Sequence, residues 1–219
     1  MTRIAILSDV HADYRALQDA LACIERMGID LVVCAGDLVD YGPFPEETIR
    51  LLREKAIPCI RGNHDRWAVA RASQAPKVGA TQLSPEALAF LEALPLGWDR
   101  CIDDVHVAVR HGTPRSDMHG IFPDHLEPDE ARKYFEQAQA DVLVVGHTHL
   151  PFALTTLEGR LIVNPGALLR DPDPSTSHPP AGGTFGVLDV PSRSFHVHRA
   201  ADGEEVEILR KTVGVRDWR

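Results

Sequence analysis

The sequence predicts an α/β fold, with a parallel or mixed sheet in the N-terminal part and antiparallel strands in the C-terminal part. Over the first 65 residues, apolar runs of strand length alternate with helical periodicities, which is the pattern of βαβ units around a buried parallel sheet. Beyond residue 150, short strand patterns follow one another across short turns, which favours antiparallel pairing. No linker or internal repeat divides the chain, so residues 1–219 are predicted to form a single domain.

Helical spacing and helix-stop residues define the elements of the N-terminal part. Leu17, Leu21 and Ile24 recur at helical spacing, and Gly28 supplies a stop. Pro45 occupies the first turn of the next helix, where proline is tolerated. These patterns predict strands over residues 3–7, 31–35 and 56–60, and helices over 14–27 and 45–55.

The remaining chain contains two further helices and a series of strands. Ser84 and Pro85 open a capped amphipathic helix. Residues 171–183 hold four prolines and are predicted to form a loop. The other predictions are helices over 84–94 and 128–139, and strands over 105–109, 141–145, 152–157, 160–163, 184–190, 194–199 and 204–212.

Composition excludes several classes of protein. No apolar run approaches the ~20 residues of a membrane helix, and no signal peptide is recognised because residues 3–7 already form a strand pattern. The four cysteines show no C-x-x-C spacing, so we expect free thiols in a reducing cytoplasm. A formal charge of -9 without basic runs makes binding to long nucleic acid unfavourable.

Five short segments carry side chains that can bind metal ions, and each directly follows an apolar strand. Because the C-terminal ends of parallel strands lie at one edge of a sheet, we expect these side chains to converge there. The segments are Ser8–His11, Gly36–Asp37, Gly62–Asp65, His111–Gly112 and Gly146–His149.

The candidate ligands combine two carboxylates, one amide oxygen and four imidazoles. Such a mixed set suits two borderline divalent ions among Mn, Fe, Zn, Ni and Co, and Mn is the preferred prediction. Seven ligands are too many for one ion but suffice for two when one carboxylate bridges, and a pair of ions ~3.5–4 Å apart suits phosphoester hydrolysis. The candidates are Asp9, His11, Asp37, Asn63, His111, His147 and His149.

In order and content, these segments resemble the five motifs of the calcineurin-like metallophosphoesterase superfamily, over residues 8–149. Each motif alone recurs by chance, whereas five in order at strand ends form a specific signal. Tyr41–Pro43, His111–Arg115 and Asn164–Gly166 are most similar to small bacterial phosphoesterases of the YfcE-like and diadenosine-tetraphosphatase-like kind. The resemblance implies a four-layer αββα sandwich.

The resemblance also implies a role for each motif residue. It implies that a metal-bridging hydroxide attacks phosphorus while His64 acts as the general acid for the leaving group. Asp40 matches the acidic residue that orients this histidine in related protein phosphatases, so Asp40 is the candidate partner of His64. The implied ligands are Asp9, His11 and His149 for one metal, Asn63, His111 and His147 for the other, and Asp37 as the bridge.

Two positions depart from the family pattern. Tyr41 stands where those phosphatases place a phosphate-binding arginine, which argues against action on phosphoproteins. Ala12 replaces a frequent glycine, a change that costs little unless the backbone needs a positive φ. Asp13, which follows, is expected to cap the next helix, and Asp65 is expected in the first turn of a helix.

The loops over residues 112–127 and 165–183 are expected to determine which substrate is bound. Arginine side chains there match phosphate in two-point geometry. The candidate substrate contacts are Tyr41, Arg115, His119 and Arg170.

The predicted function is hydrolysis of small phosphomonoesters or phosphodiesters, including nucleotide-type esters, by a cytoplasmic enzyme that is free to form oligomers. One alternative is a non-catalytic metal-binding interaction scaffold of the same fold, against which the presence of His64 argues. A second is a phosphatase acting on proteins or dinucleotide polyphosphates. A repair-type nuclease is disfavoured because the chain is short and acidic.

Overall fold

A computed structural model describes residues 2–73, 83–170 and 183–214. Two mixed sheets lie face to face, and helices cover their outer faces. The first sheet contains β1 (Arg3–Leu7), β2 (Leu31–Cys34), β8 (Thr184–Asp189), β9 (Ser194–Arg199) and β10 (Glu205–Val206), in the order β10-β9-β8-β1-β2. The second contains β3 (Gly97–Ile102), β4 (Val105–Arg110), β5 (Val142–Val144), β6 (Phe152–Thr156), β7 (Leu161–Asn164) and β11 (Leu209–Val213), in the order β11-β6-β7-β5-β4-β3. The helices are α1 (Tyr14–Met27), α2 (Pro45–Glu54), α3 (Asn63–Ala72), α4 (Pro85–Ala93) and α5 (Pro128–Ala138).

Alternation of side chains along the strands builds the four layers. Ile4 and Ile6 of β1 point into the core between the two sheets, whereas Ala5 and Leu7 point into the core under α1 to α4. In the second sheet, Leu143 packs on the other side with Phe135 of α5. The predicted αββα sandwich is therefore confirmed.

Parallel pairing within each sheet aligns the segments that carry the candidate metal ligands, because these segments follow the C-terminal ends of the strands. β1 pairs in parallel with β2 in the first sheet, and β4, β5 and β7 are mutually parallel in the second. The backbone extends this alignment past the strand ends, because Asp9 N donates to Gly36 O at 3.0 Å and Gly146 N donates to His111 O at 2.7 Å. His147 N, after β5, donates to Asp9 Oδ2, after β1, at 3.0 Å, so the segments that follow β1, β2, β4 and β5 meet at one end of the two sheets.

Helix α1 shows how local sequence fixes an element. The Asp13 carboxylate accepts a hydrogen bond from Ala16 N at 3.0 Å, so the predicted N-cap is confirmed. Gly28 adopts a left-handed conformation at the C-terminal end. None of the helices within residues 2–73, 83–170 and 183–214 is long and apolar enough to cross a membrane.

Between residues 56 and 102, one prediction was wrong and one strand was not predicted. Residues 56–60 do not form a strand, because only an isolated bridge joins Cys59 to Cys34 at the edge of the first sheet. Conversely, β3 was missed because its central residues are exposed and show little apolar patterning. β3 and β4 form a hairpin whose turn, Asp103 and Asp104, has two positive φ angles, as a type I′ turn requires.

The predicted strand over residues 204–212 is also corrected. It divides into β10, which pairs with β9 in the first sheet, and β11, which pairs with β6 in the second. The β11–β6 pairing is parallel, whereas the prediction was antiparallel. The β6–β7 and β8–β9 pairs are antiparallel as expected. Most of the predicted proline-rich loop, residues 171–182, lies outside the described residues.

Candidate metal centre

Unusual backbone conformations place the candidate ligands at the strand ends. Asp9, His11, Asp37, His147 and His149 all have φ between 47° and 65°. Residues other than glycine adopt this left-handed backbone conformation at a cost in free energy. Residues held in it cluster at functional sites. Each segment turns sharply where it leaves its strand, so the strained turns direct the candidate ligand side chains towards the same space.

One cluster of candidate ligands consists of Asp9, His11 and His149, all buried. His11 Nδ1 donates to the carbonyl of Val39 at 3.1 Å, which leaves the Nε2 lone pair facing the cluster. His11 Nε2 lies 3.1 Å from His149 Nε2, and His149 Nε2 lies 3.3 Å from Asp9 Oδ1. Asp9 Oδ1 is fully buried yet has no hydrogen-bond partner, so a cation would satisfy an otherwise costly oxygen.

The second cluster is built around Asn63, His111 and His147. Asn63 Oδ1 lies 3.0 Å from both His111 Nε2 and His147 Nδ1. The other nitrogen of each ring donates to a backbone carbonyl, His111 Nδ1 to Ala35 at 2.8 Å and His147 Nε2 to Met118 at 3.1 Å. With a cation bound, these backbone carbonyls would hold the proton on the outer nitrogen of each ring and leave the lone pair of the other nitrogen directed at the common centre.

Asp37 lies between the two clusters. Its Oδ2 is 3.1 Å from His111 Nε2 on one side and 3.9 Å from His11 Nε2 on the other. Its Oδ1 accepts the backbone N–H of His64 at 2.8 Å. A carboxylate in this position can contact two cations at once.

The electrostatics of the cluster fit bound cations. Burial disfavours a charged Asp9, but His149, His111 and His11 hold its pKa below the ordinary value. Burial would lower the pKa of His111, but Asp37 raises it to about 10. Buried carboxylates therefore draw on imidazole protons for compensating charge, a role that divalent cations fill more strongly. The donor set fits the predicted divalent ions.

Asp65 supports the centre in a way that the sequence alone did not show. Besides sitting in the first turn of α3 as expected, its carboxylate accepts backbone N–H bonds from Gly62, Asp37 and Leu38 at 2.8–3.0 Å. Burial and the charge of Asp37 raise the pKa of Asp65 to about 7. Asp65 therefore fixes the backbone that carries Asp37. In the sequence, the only indication of this role was the position of Asp65 three residues after Gly62.

The predicted acid and its partner are in contact. His64 Nδ1 lies 2.9 Å from Asp40 Oδ2, and the other oxygen of Asp40 accepts from Arg71 at 2.5 Å. Burial lowers and the Asp40 hydrogen bond raises the pKa of His64, with a net upward shift. Arg71 was missed because nothing in its local sequence distinguishes it from other helix arginines. His64 also lies within metal-binding reach of His11 and Asp37.

The candidate substrate contacts differ in their surroundings. The Tyr41 ring lies 4.6 Å from that of His11 and 4.9 Å from that of His64, measured between centroids. Arg115 and His119 are exposed on the loop after β4, and the Arg115 side chain forms no hydrogen bond or ion pair with any residue described. Arg170 donates two hydrogen bonds to Asp13, so it would have to leave this carboxylate to reach a phosphate.

A family model for the calcineurin-like phosphoesterase superfamily domain matches residues 2–193. The chain belongs to this superfamily. Two predictions are thereby confirmed: membership of the superfamily, and hydrolysis of phosphoesters as the class of reaction.

The chain is also similar to individual proteins and solved structures. An uncharacterised protein of Methanocaldococcus jannaschii, MJ0912, is 32% identical over 179 residues, which span 78% of this chain and 71% of that protein. A metallophosphoesterase from Sphaerobacter thermophilus is 26% identical, with a TM-score of 0.69 over 94% of this chain and 89% of the other. The phosphoesterase YfcE from E. coli shares the fold at 20% identity, with a TM-score of 0.59 over 94% and 97% of the two chains. The predicted similarity to YfcE-like phosphoesterases is confirmed at the level of the fold.

Proposed function

We propose that this protein is a dinuclear metal-dependent hydrolase of small phosphomonoesters or phosphodiesters. The observation that carries the proposal is the position of Asp37 between two clusters of nitrogen and oxygen donors. Two divalent ions, for which Mn is our preferred identity, would be held by Asp9, His11 and His149 on one side and by Asn63, His111 and His147 on the other. When bound, such ions neutralise phosphate charge and supply a nucleophile at neutral pH.

His64 is proposed as the general acid. Because its Nδ1 is engaged by Asp40, Nε2 is the nitrogen that can release a proton. In the reaction, a water oxygen forms a new bond to phosphorus as the bond to the leaving oxygen breaks. The electron pair of the broken bond stays on the leaving oxygen, which takes the proton from His64 Nε2, while the water releases one proton to solvent.

The first test combines kinetics with metal analysis. We expect the Mn-loaded protein to hydrolyse p-nitrophenyl phosphate or bis(p-nitrophenyl) phosphate and to contain two metal ions per chain. Inactivity towards both esters and towards dinucleotide polyphosphates, at each candidate metal, would contradict the proposal. A single ion per chain would exclude the dinuclear form.

Substitution of His64 separates the role of an acid from that of a ligand. We expect His64→Ala to keep both metals while kcat falls about 10²-fold or more, the usual contribution of a general acid. The matched control is His106→Ala, on the exposed side of β4. Loss of metal in His64→Ala would make His64 a ligand instead.

Two other functions are weaker on specific grounds. A non-catalytic scaffold has no need for the His64–Asp40–Arg71 arrangement, in which each group orients the next. Action on phosphoproteins is disfavoured by Tyr41 in place of a phosphate-binding arginine. We also propose that residues 1–219 form a single domain and that the protein acts in the cytoplasm.

A further inference from the structure

Exposed apolar side chains are concentrated on two loops that carry candidate ligands. Among the described residues, seven large hydrophobic side chains are exposed, and four of them lie on the two loops that flank the centre. Tyr41 and Phe44 lie on the loop between β2 and α2, and Met118 and Phe122 lie on the loop between β4 and α5. We call these four residues the rim. Recognition of a phosphate group alone does not need such a surface, whereas recognition of an apolar part of a substrate does.

The rim reaches the ligands on both sides. On the loop after β4, the carbonyl of Met118 accepts from His147 Nε2 at 3.1 Å. A methyl group added at Gly120 would lie 3.2 Å from the Phe122 ring and 3.4 Å from the His147 ring, so both rings flank this glycine. On the opposite side, Tyr41 contacts the rings of His11 and His64.

The backbone of Tyr41 is held in place although its side chain is 59% exposed. Gly42 N donates to the carbonyl of His11 at 2.8 Å, and a methyl group at Gly42 would lie 2.5 Å from that oxygen. Asp40 and Tyr41 both adopt a positive φ, of 73° and 61°. A bulky residue on strained backbone that is hydrogen-bonded to a ligand segment is more typical of a functional position than of a solvated loop.

The position of His64 determines which part of a substrate meets Tyr41. The leaving oxygen must approach His64 Nε2, so the leaving group has to lie beside the His64 ring. That ring is flanked by Tyr41, at 4.9 Å between centroids, and by Trp67, at 4.8 Å. The space next to the leaving oxygen is therefore lined by aromatic faces or edges.

We infer that Tyr41 is a specificity-determining residue that stacks on a flat aromatic ring carried by the leaving group, so that the preferred substrates are phosphoesters of a nucleoside or of another ring-bearing alcohol. This inference rests on the proposed function. Stacking of a base on an aromatic side chain is tolerant of the identity of the base and changes affinity by about tenfold or more. Phe44 and the apolar side chains of the opposite loop are likewise exposed.

The test compares three substrates that differ in the leaving group. Kinetics are measured with adenosine 5′-monophosphate, phenyl phosphate and glycerol phosphate for the wild-type protein, Tyr41→Phe and Tyr41→Leu. Because intrinsic reactivity differs between the esters, each variant is compared with the wild type on the same substrate. We expect Tyr41→Leu to reduce the preference for ring-bearing esters over glycerol phosphate about tenfold, in kcat/KM, whereas Tyr41→Phe retains that preference.

Product inhibition gives a second, independent measurement. Adenosine is expected to inhibit the wild-type protein, and its inhibition constant is expected to rise in Tyr41→Leu by a factor similar to the change in preference. Leu157→Ala, which removes an exposed apolar side chain on the turn after β6, is the matched control and should change neither value.

The outcomes separate the inference from the proposed function. Equal losses on all three substrates in Tyr41→Leu, or a larger effect on a phosphoserine peptide than on the ring-bearing esters, would overturn the inference and leave phosphoester hydrolysis standing. Loss of preference confined to the nucleotide, or to phenyl phosphate, would support the inference and identify the source of the ring. Failure of the wild-type protein to hydrolyse any phosphoester would overturn both.

Discussion

Asp9, His11 and Asp37 in the candidate ligand set are at most 1% exposed, whereas Tyr41 and Phe122 at the rim are 59% and 47% exposed. Several candidate ligands are oriented by their own hydrogen bonds, for example His111 by the carbonyl of Ala35 and Asp9 by Ser8 Oγ at 2.5 Å. The rim side chains instead project from loops. The ligand set is therefore preorganised for one chemistry, while the rim is free to vary with the substrate.

The largest loss of metal and activity is expected at Asp37, because no other carboxylate in the candidate ligand set lies between the two clusters. Asp37→Asn keeps the shape of the side chain but removes the negative charge between the two clusters. We expect it to lose metal and to lower kcat/KM about 10³-fold or more. Metal content and kinetics should be compared with Asp129→Asn, a substitution at an exposed position of α5. Full metal content together with wild-type activity would show that the ligand set is not as interdependent as its geometry indicates.

The second largest effect is expected at Asp40, which contacts His64 beside the candidate ligand set. Asp40 raises the pKa of His64, and a general acid works only while protonated, so activity falls as the pH rises through that pKa. Asp40→Asn should therefore move the alkaline limb of the kcat profile to lower pH and reduce kcat about 10–100-fold.

Arg71→Gln provides the opposing comparison for Asp40. It removes a cation from Asp40 but keeps the carboxylate, so the alkaline limb should not move to lower pH. If both variants shifted the limb in the same direction, the role of Asp40 as the positioning residue for His64 would be rejected.

A smaller effect is expected at the ion pair that ties the loop after β4 to α3. Arg66 donates two hydrogen bonds to Asp117, at 2.7 and 3.1 Å, and the adjacent Met118 carbonyl orients His147. Because the pair is partly exposed, we expect Arg66→Gln and Asp117→Asn each to weaken Mn binding only about 2–5-fold. The double variant should be no weaker than either single one, as calorimetric titration can show. Additive losses would mean that the two residues act separately.

The smallest effect tests the strained backbone beside the ligand set. Ala12 has a φ of 56°, so glycine there relieves about 1–2 kcal/mol of strain, while loss of a buried methyl group costs about 0.8 kcal/mol. We expect Ala12→Gly to shift Tm by no more than about 2–4 °C.

Ala16→Gly is the matched control for Ala12→Gly. Ala16 is equally buried but helical, so the same change adds a helix-propensity cost of about 1 kcal/mol to the lost burial and should lower Tm further. Equal shifts in thermal unfolding for the two variants would contradict the strain at Ala12.

The candidate ligands could be chosen from the sequence because metal binding restricts residue types. Only a few side chains bind borderline metal ions, and the order of the five segments along the chain could be read without coordinates. Asp65, Arg71 and Asp117 could not be found in this way. Their partners are 28, 31 and 51 residues distant, and a lone acidic or basic residue has no local signal that distinguishes a long-range partner from a solvated charge.

The same distinction holds for the fold. β1 and α1 were predicted with their observed bounds because apolar periodicity and end signals agree there. β3 and the division of residues 204–212 were missed because exposed edge strands need little apolar patterning and depend on the neighbour that offers a free edge.

The sequence by itself determined the α/β class, the donor types and the strand ends at which they meet, because alternation of apolar runs and metal-ligand chemistry are local properties. The four-layer αββα arrangement was implied only by the resemblance to the superfamily. Only the tertiary structure decided which nitrogen of His11, His111 and His147 faces the centre, and how far Asp37 lies from the histidines on either side. It also decided that Arg170 pairs with Asp13 while Tyr41 flanks His64. These outcomes depend on backbone carbonyls and side chains brought together from distant segments, and no local pattern encodes them.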